Sequence, residues 1–417
     1  MIPPTETSAT VQPYPLHKLA VMKALLLENI HAEAVRTLKT AGYQVERVSE
    51  ALDEDDLISA LDGVDLLGIR SRTRVTSRVV EACGDSLTAV GAFCIGTNQM
   101  DLGALAQAGI PAFNAPYSNT RSVVELVMAE IIALARRLGD RNTQMHNGVW
   151  RKSAIGSHEI RGRRLGIIGY GNIGQQLSVV AEAMGMQVFF YDIADVLPIG
   201  NAHRCESMEE LLGSVETVSL HIDGRPSNNN LIGAREFAMM RPRSLFLNLS
   251  RGKVVDIDAL VDNLRTGHIA GAGVDVYPEE PASGKEPFVS ALREMDNVIL
   301  TPHIGGSTQE AQVDIGRYVA GKLIDYVENG ATGMSVNLPE ITPSPRTGAR
   351  IGHLHRNVPG AMATVNRLVA DQGGNVTYQA LATKGELGYC VLDIAETDGG
   401  LLANVTGLEG TIRARIL

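Results

Sequence analysis

Cysteine is scarce, with four in 417 residues. Cys83, Cys94, Cys205 and Cys390 lie far apart, form no CxxC pair and have no histidines at ligand spacing beside them. This excludes a disulfide framework and a zinc site, so the thiols read as free and buried in a reducing cytoplasm, with no metal expected. Long apolar runs are also missing. The best candidate, LVMAEIIALA, is broken by Glu130 and falls well short of the roughly 18 residues of a membrane span. Positive charge is in deficit: the net charge is −10, which repels nucleic acid and anionic membranes. An anionic ligand would therefore need a local basic cluster. Residues 1–20 contain no apolar h-region and no arginine, and read as a flexible leader rather than a signal or transit peptide. No repeat with a period of about 20 to 50 residues is found. These absences predict a soluble, cytoplasmic protein that binds neither nucleic acid nor membrane.

What remains is an ordinary globular composition, 44% hydrophobic and 20% charged, in a chain too long for one core. After the leader, the strand-like VMKALLLENI precedes an amphipathic HAEAVRTLKTAG, and strand and helix patterns then alternate to about Pro116. Such alternation implies a parallel sheet covered on both faces. SVVELVMAEIIALARRL is apolar nearly all round and reads as a buried helix at a domain junction, with Ser118, Asn119 and Thr120 as possible caps. A second alternating series begins at Arg164, and IGRYVAGKLIDYVEN is its last helix. The Pro-, Ser- and Gly-rich LPEITPSPRTGARI marks a linker. Beyond it a βαββαβ order suggests a ferredoxin-like module.

GYGNIG follows the apolar strand LGII and opens the helix QQLSVVAEAMG. Glycine is common here, so the motif alone is weak evidence; its setting is what gives it weight. Gly169 permits the tight turn, Gly171 a close approach by phosphate, and Gly174 close helix–strand packing. The next strand ends at Asp192, whose carboxylate suits ribose hydroxyls and repels a 2′-phosphate, pointing to NAD as the cofactor. Three later segments each join a strand end to a polar residue: Arg251 just after LFLNL, Asp275 at a strand end with Glu280 in the loop that follows, and His303 at the end of another strand. Taken singly each could be an unremarkable loop residue. Together, downstream of a dinucleotide fold, His303 suits a general base, Glu280 its orienting partner and Arg251 a carboxylate-binding cation. In IRSRTRVT, Arg70, Arg72 and Arg74 would share one face of an extended segment, with Ser71 on the other. Three cations exceed the need of one carboxylate and suit a phosphate as well.

The segments RSRT, FCIGTNQ, FNAPYSNTRSVVEL, LGIIGYGNIG, NLSRGKVVD and LTPHIGGSTQEAQ resemble the D-isomer-specific 2-hydroxyacid dehydrogenases from about Ala24 to the C-terminus. The resemblance implies two Rossmann-like, doubly wound parallel-sheet domains of α/β class and a small C-terminal α+β module of ACT type. The implied boundaries are 21–117 with 304–336 for substrate, 118–303 for NAD, 337–348 as linker and 349–417 as regulatory module. It also implies Arg251, Glu280 and His303 as the catalytic set. NAD contacts are implied at Asn172, Ile173, Asp192, Leu249, Ser250, Arg251, Asp275, His303, Ile304, Gly305 and Gly306. A phosphorylated 2-hydroxy acid is implied at Arg70, Ser71 and Arg72; the third arginine, Arg74, is not part of the family pattern.

In the C-terminal module, His355, Asn357 and Asn375 match a serine-effector site. Trp150 matches a subunit contact, with a core position as the alternative, and a homo-oligomer follows, a tetramer by resemblance. Reduction of another 2-hydroxy acid, such as glyoxylate, hydroxypyruvate or 2-oxoglutarate, stays open, as does an NAD-sensing binding protein. Two departures from the pattern stand out. Asp223 replaces a proline after His221, and ETDGGLLANVTGLEG is short with four glycines, each costing a helix interior about 1 kcal/mol.

Overall fold

The computed structural model describes residues 21–281, 286–395 and 400–417; the predicted leader lies outside them. The chain divides into two compact units, residues 116–315 and, among the described residues, 21–115 with 316–417.

In the discontinuous unit, β1 (Lys23–Leu26), β2 (Gln44–Arg47), β3 (Leu66–Ile69), β4 (Ala89–Ala92) and β5 (Ala112–Phe113) form a parallel sheet in the order β2-β1-β3-β4-β5. Strands β3 and β4 are buried along their whole length, as strands covered on both faces must be. Leu25, Leu27, Leu67, Ile69 and Val90 pack on one side with Val79, Val80 and Leu105 from helices. On the other side, Gly91 leaves room for Val319 and Leu323 of the helix Gln309–Asn329.

The continuous unit holds β6 (Arg164–Ile168), β7 (Gln187–Tyr191), β8 (His203–Arg204), β9 (Thr217–Leu220), β10 (Ser244–Asn248), β11 (Ile269–Val274) and β12 (Val298–Leu300). Their order is β12-β11-β10-β9-β6-β7-β8, and every pair is parallel. This is the doubly wound dinucleotide topology with one additional strand. Two separate cores, one around Phe246 and Val218 and one around Phe190 and Ile167, cover its two faces. The long apolar segment forms the helix Thr120–Arg136, which stops where Arg137 turns left-handed at φ 56. A second helix, Leu138–His146, then follows with no buried residue. Asn119 is the N-cap residue of the long helix, but its side chain makes no capping bond.

The C-terminal module joins β13 (Ala349–Arg356), β14 (Val376–Lys384), β15 (Leu387–Ile394) and β16 (Thr411–Ile416) in an antiparallel sheet ordered β14-β15-β13-β16. With the helices Ala361–Asp371 and Leu401–Thr406 it has the expected βαββαβ form. Part of the glycine-rich segment lies outside the described residues; of the rest, Leu401–Thr406 forms that short last helix. The linker is more ordered than its composition suggests. Asn337 accepts from Ala112 N–H and donates to the Ile110 carbonyl, and Leu338 and Ile341 are buried.

The module's sheet packs within its own unit. Tyr389 Oη donates to the Gly330 carbonyl at 2.8 Å, and Arg413 to the Leu87 carbonyl at 2.9 Å. Arg350 and Asp393, both fully buried, pair at 2.6 Å. Arg350 also donates to Asn329 and Ser344 carbonyls, which satisfies a charge that would otherwise be costly to bury.

Candidate active site

Strand order reverses between β6 and β9, and ligands of open α/β sheets bind at such a switch point, beyond the strands' carboxyl ends. The glycine loop leaves β6 there. Gly169 has φ 92, and a Cβ built on it would overlap the His221 carbonyl that follows β9. A Cβ on Gly174 would overlap the Gly169 carbonyl, whereas a Cβ on Gly171 would meet nothing within 4 Å. Two glycines thus serve tight packing, and the third borders open space. Helix Asn172–Ala183 starts at Gly171 without a side-chain cap, so its first amides remain available to an anion. Asn172 is exposed and Ile173 half-buried. Asp192 accepts from Tyr170 N–H at 2.6 Å and from Ala194 N–H at 2.8 Å. It therefore holds the glycine loop while retaining lone pairs for a ribose. These features fit a dinucleotide.

At the next strand ends, Asn248 accepts from Ser250 N–H and Oγ and donates to the Arg251 carbonyl. Leu249 and Ser250 are buried and Arg251 half-buried. Gly252 lies so close to the Tyr277 backbone that no Cβ would fit, which draws the Arg251 segment towards the loop bearing Glu280. Asp275 shapes the loop beyond β12. It accepts from Thr301 Oγ1 at 2.6 Å and from Ile304 and Gly305 N–H at 2.8 Å each. His303 turns left-handed at φ 54 and places Nδ1 2.9 Å from Glu280 Oε2. Gly306 packs against the Asn119 side chain.

The hydrogen bond to Glu280, opposed by burial, raises the His303 pKa. Burial pushes Glu280 upward, yet its bonds to His303 and the nearby charges leave its carboxyl below the usual range. The Arg251 charge acts on both groups. Asp223 makes an ion pair with Arg225 and accepts from Asn228. The bond to Arg225 lowers its pKa, and nothing in the structure gives it a chemical role.

The arginine loop is not extended. Residues 71–73 bend after β3, and Arg70, Ser71, Arg72 and Thr73 all turn their N–H groups onto the Glu28 carboxylate. The alternating-face reading is corrected accordingly: Arg70 is half-buried, and Ser71, Arg72 and Arg74 are exposed. Trp150, which could have been a core residue, is 79% exposed.

His355 and Asn357 stand at the Leu387 end of the module's sheet, whereas Asn375 stands at its Ile394 end. One chain therefore does not bring the three effector residues together. Of the cysteines, three are buried and Cys94 is half-buried, and all are free.

Two residues with evident local roles, Glu28 and Thr301, were not singled out by sequence, and Glu130 was read only as an interruption of an apolar run. Glu28 lies just past a strand end, the position that drew attention to the catalytic set, so that signal could have found it. Glu130 is buried against Gly273, and among the described residues neither of its carboxyl oxygens has a partner. Burial, then the nearby Asp275, pushes its pKa up to about 8.

A doubly wound sheet with an open glycine turn and a paired histidine and glutamate at its strand ends defines an NAD-dependent dehydrogenase. Residues 128–305 match the family described as D-isomer specific 2-hydroxyacid dehydrogenase, NAD binding domain. Residues 351–409 match an AHAS small subunit-like ACT domain. D-3-phosphoglycerate dehydrogenase of Escherichia coli strain K12 is 49% identical over 401 residues, spanning 95% of this chain and 97% of that protein. The Haemophilus influenzae enzyme of the same name is 50% identical over 399 residues, again spanning 95% and 97%. The solved D-2-hydroxyisocaproate dehydrogenase superposes with a TM-score of 0.69 at 25% identity, covering 76% of this chain and all of that one. The chain belongs to the D-3-phosphoglycerate dehydrogenases of the D-isomer-specific 2-hydroxyacid dehydrogenase family, with a C-terminal ACT domain.

Proposed function

We propose that this chain oxidises D-3-phosphoglycerate to 3-phosphohydroxypyruvate with NAD, the first step of serine biosynthesis. The observation that carries the reading is the 2.9 Å bond between His303 Nδ1 and Glu280, at strand ends beside Arg251. A carboxylate on Nδ1 selects the tautomer with its proton on that nitrogen, leaving Nε2 as the lone-pair acceptor. His303 Nε2 takes the substrate hydroxyl proton, and the Glu280 charge stabilises the imidazolium that forms. Arg251 binds the substrate carboxylate in its planar fork and polarises the developing carbonyl oxygen. NAD, when bound, would supply the acceptor for the hydride that leaves the carbinol carbon. Gly169, Gly171 and Gly174 with the amides of Asn172 and Ile173 would hold its pyrophosphate, and Asp192 its ribose. Leu249, Ser250, Asp275, Ile304, Gly305 and Gly306 would line its nicotinamide half. Arg70, Ser71 and Arg72 take the substrate phosphate.

Absorbance at the NADH band with D-3-phosphoglycerate tests the reading, with His303→Ala as control. Turnover is expected with this substrate and its loss in the variant, by about 100-fold or more. Equal turnover of glyoxylate, hydroxypyruvate or 2-oxoglutarate in the reverse direction would remove the substrate assignment.

Serine is the proposed effector. His355 and Asn357 are separated from Asn375 by the length of an eight-residue strand, about 25 Å. That separation supports a site drawn from two copies, one giving His355 and Asn357 and the other Asn375. A homo-oligomer, at least a dimer and by family a tetramer, agrees with the exposed apolar side chains of Leu138, Val149, Trp150 and Ile155. The four free thiols suit a reducing cytoplasm. Light scattering that gave a monomer would reject the oligomer, and unchanged rates at millimolar serine would reject serine as effector.

A further inference from the structure

Glu28 lies two residues beyond β1, next to the point where the first sheet reverses its strand order between β1 and β3. Glu28 and Asn29 are both left-handed, at φ 58 and 54, a region that residues with a Cβ seldom enter. The two turns in succession carry the Glu28 side chain under the loop that leaves β3, where only 4% of the residue is exposed. There Oε1 accepts from Arg70 N–H at 3.0 Å and Thr73 N–H at 2.9 Å. Oε2 accepts from Ser71 N–H at 3.1 Å and Arg72 N–H at 3.0 Å. On its other side the loop is tied by Gln99, whose side-chain amide donates to the Arg70 carbonyl at 2.6 Å.

Four successive amides pointing into one concavity form an anion-binding nest. In this chain a resident carboxylate fills that nest. The loop consequently has no backbone amide among residues 70–73 left for an external anion, and any phosphate it binds must be bound by side chains. The curl also decides which way those side chains leave the loop. Thr73 is buried inward, while Ser71, Arg72 and Arg74 stay exposed. Arg72 is further steadied by Glu28 itself, 3.8 Å from its Nε.

We propose that Glu28 is the positioning residue of the substrate-phosphate loop: its carboxylate occupies the loop's amide nest and thereby fixes the directions from which Arg70 and Arg72 meet the phosphate. The inference rests on the reading of that loop as the substrate site. Glu28 touches no reacting atom, so its loss should act on substrate affinity through the arginines and leave the proton transfer at His303 in place. A glutamine keeps the size but turns an NH2 group onto amides that need acceptors. Aspartate keeps the charge and is one methylene shorter.

The test is steady-state kinetics on the full chain, with circular dichroism to establish folding. Glu28→Gln is expected to raise KM for D-3-phosphoglycerate at least tenfold, with kcat and KM for NAD changed less than threefold. Glu28→Asp should give a smaller rise, about threefold. Because Glu28 acts through the loop, adding Glu28→Gln to Arg72→Ala should raise KM by less than threefold over Arg72→Ala alone. A merely structural role would instead give independent, multiplicative losses and no split between KM and kcat. A folded Glu28→Gln protein with KM within twofold of the parent overturns the proposal, as do multiplicative effects in the double variant. If Glu28→Gln does not fold, Glu28→Asp decides, and an unchanged KM overturns it. Unchanged KM in Arg70→Ala and Arg72→Ala would show that the loop is not the substrate site, and both readings fall. Raised KM in those variants beside an unchanged Glu28→Gln removes only the role of Glu28.

Discussion

Each parallel sheet reverses its strand order once, between β1 and β3 in the first and between β6 and β9 in the second. A loop leaves a strand at each reversal, and the two loops use their backbone amides in opposite ways. After β6 the amides at the start of the helix Asn172–Ala183 are uncapped, and Gly171 borders open space. After β3 the four amides of residues 70–73 are all taken by Glu28. The first loop can bind an anion with its main chain, which demands glycine and tolerates little else. An anion at the second could be held only by side chains, and for the substrate site proposed there this calls for arginine and a means of aiming it. One fold rule thus yields two recognition chemistries, one suited to a pyrophosphate common to many enzymes and one adjustable to a particular substrate.

The largest expected effect would break the glycine side of this comparison. Gly174→Val places a side chain where even a Cβ overlaps the Gly169 carbonyl. Affinity for NADH, read by fluorescence titration, should fall more than about 100-fold, because main-chain geometry is lost and no side chain can replace it. Near-parental affinity would show that the loop does not bind through its amides. Next comes the arginine side. Arg70→Ala with Arg72→Ala removes two charge-assisted contacts, each worth about 1.5–3 kcal/mol. KM for D-3-phosphoglycerate should rise about 100-fold or more while NADH affinity stays put. A smaller step follows from Asp192→Asn, which keeps an acceptor for Tyr170 N–H but weakens the bonds to ribose. NAD affinity should drop about tenfold, and the preference over NADP should narrow. No change in that preference would mean that Asp192 serves the glycine loop alone.

The same contrast explains what could be read before the structure was known. Gly169, Gly171 and Gly174 are legible because their function is local: spacing, a preceding strand and a following helix are all written within a few residues. Both sheets and the C-terminal module are legible from periodicity for the same reason. The shape of the arginine loop is not, because its cause, Glu28, lies 42 residues upstream of Arg70. Without that partner an alternating RSRTR reads as a strand, and the reading puts three arginines on one face. The placement of Asn375 is hidden for the same reason: its match to a serine-site pattern carries no sign that it sits at the far end of the sheet from His355. The buried helix is legible almost to its end, read to Leu138 and observed to Arg136; the helix Leu138–His146 that follows is not, because it buries no residue and so carries no apolar stripe.

The smallest expected effect is a displacement rather than a loss, and it probes a third way of organising a strand end, by one side chain holding another. The bond that His303 donates to Glu280, outweighing burial, raises the His303 pKa above 6.5. Oxidation needs neutral His303, so kcat/KM should climb with pH through a limb that lies above that value. Below the limb His303 is protonated and cannot take the hydroxyl proton. Glu280→Gln removes the charge that favours the imidazolium while leaving a group able to accept from Nδ1. The limb should therefore move to lower pH, and the variant should retain more of its own maximum in mildly acidic buffer than the parent does. For reduction the sign reverses: protonated His303 is the proton donor, so the variant should lose activity at a lower pH than the parent as pH rises. Superimposable pH profiles for parent and variant would mean that Glu280 does not set the ionisation of His303, and that the short bond between them only orients the ring.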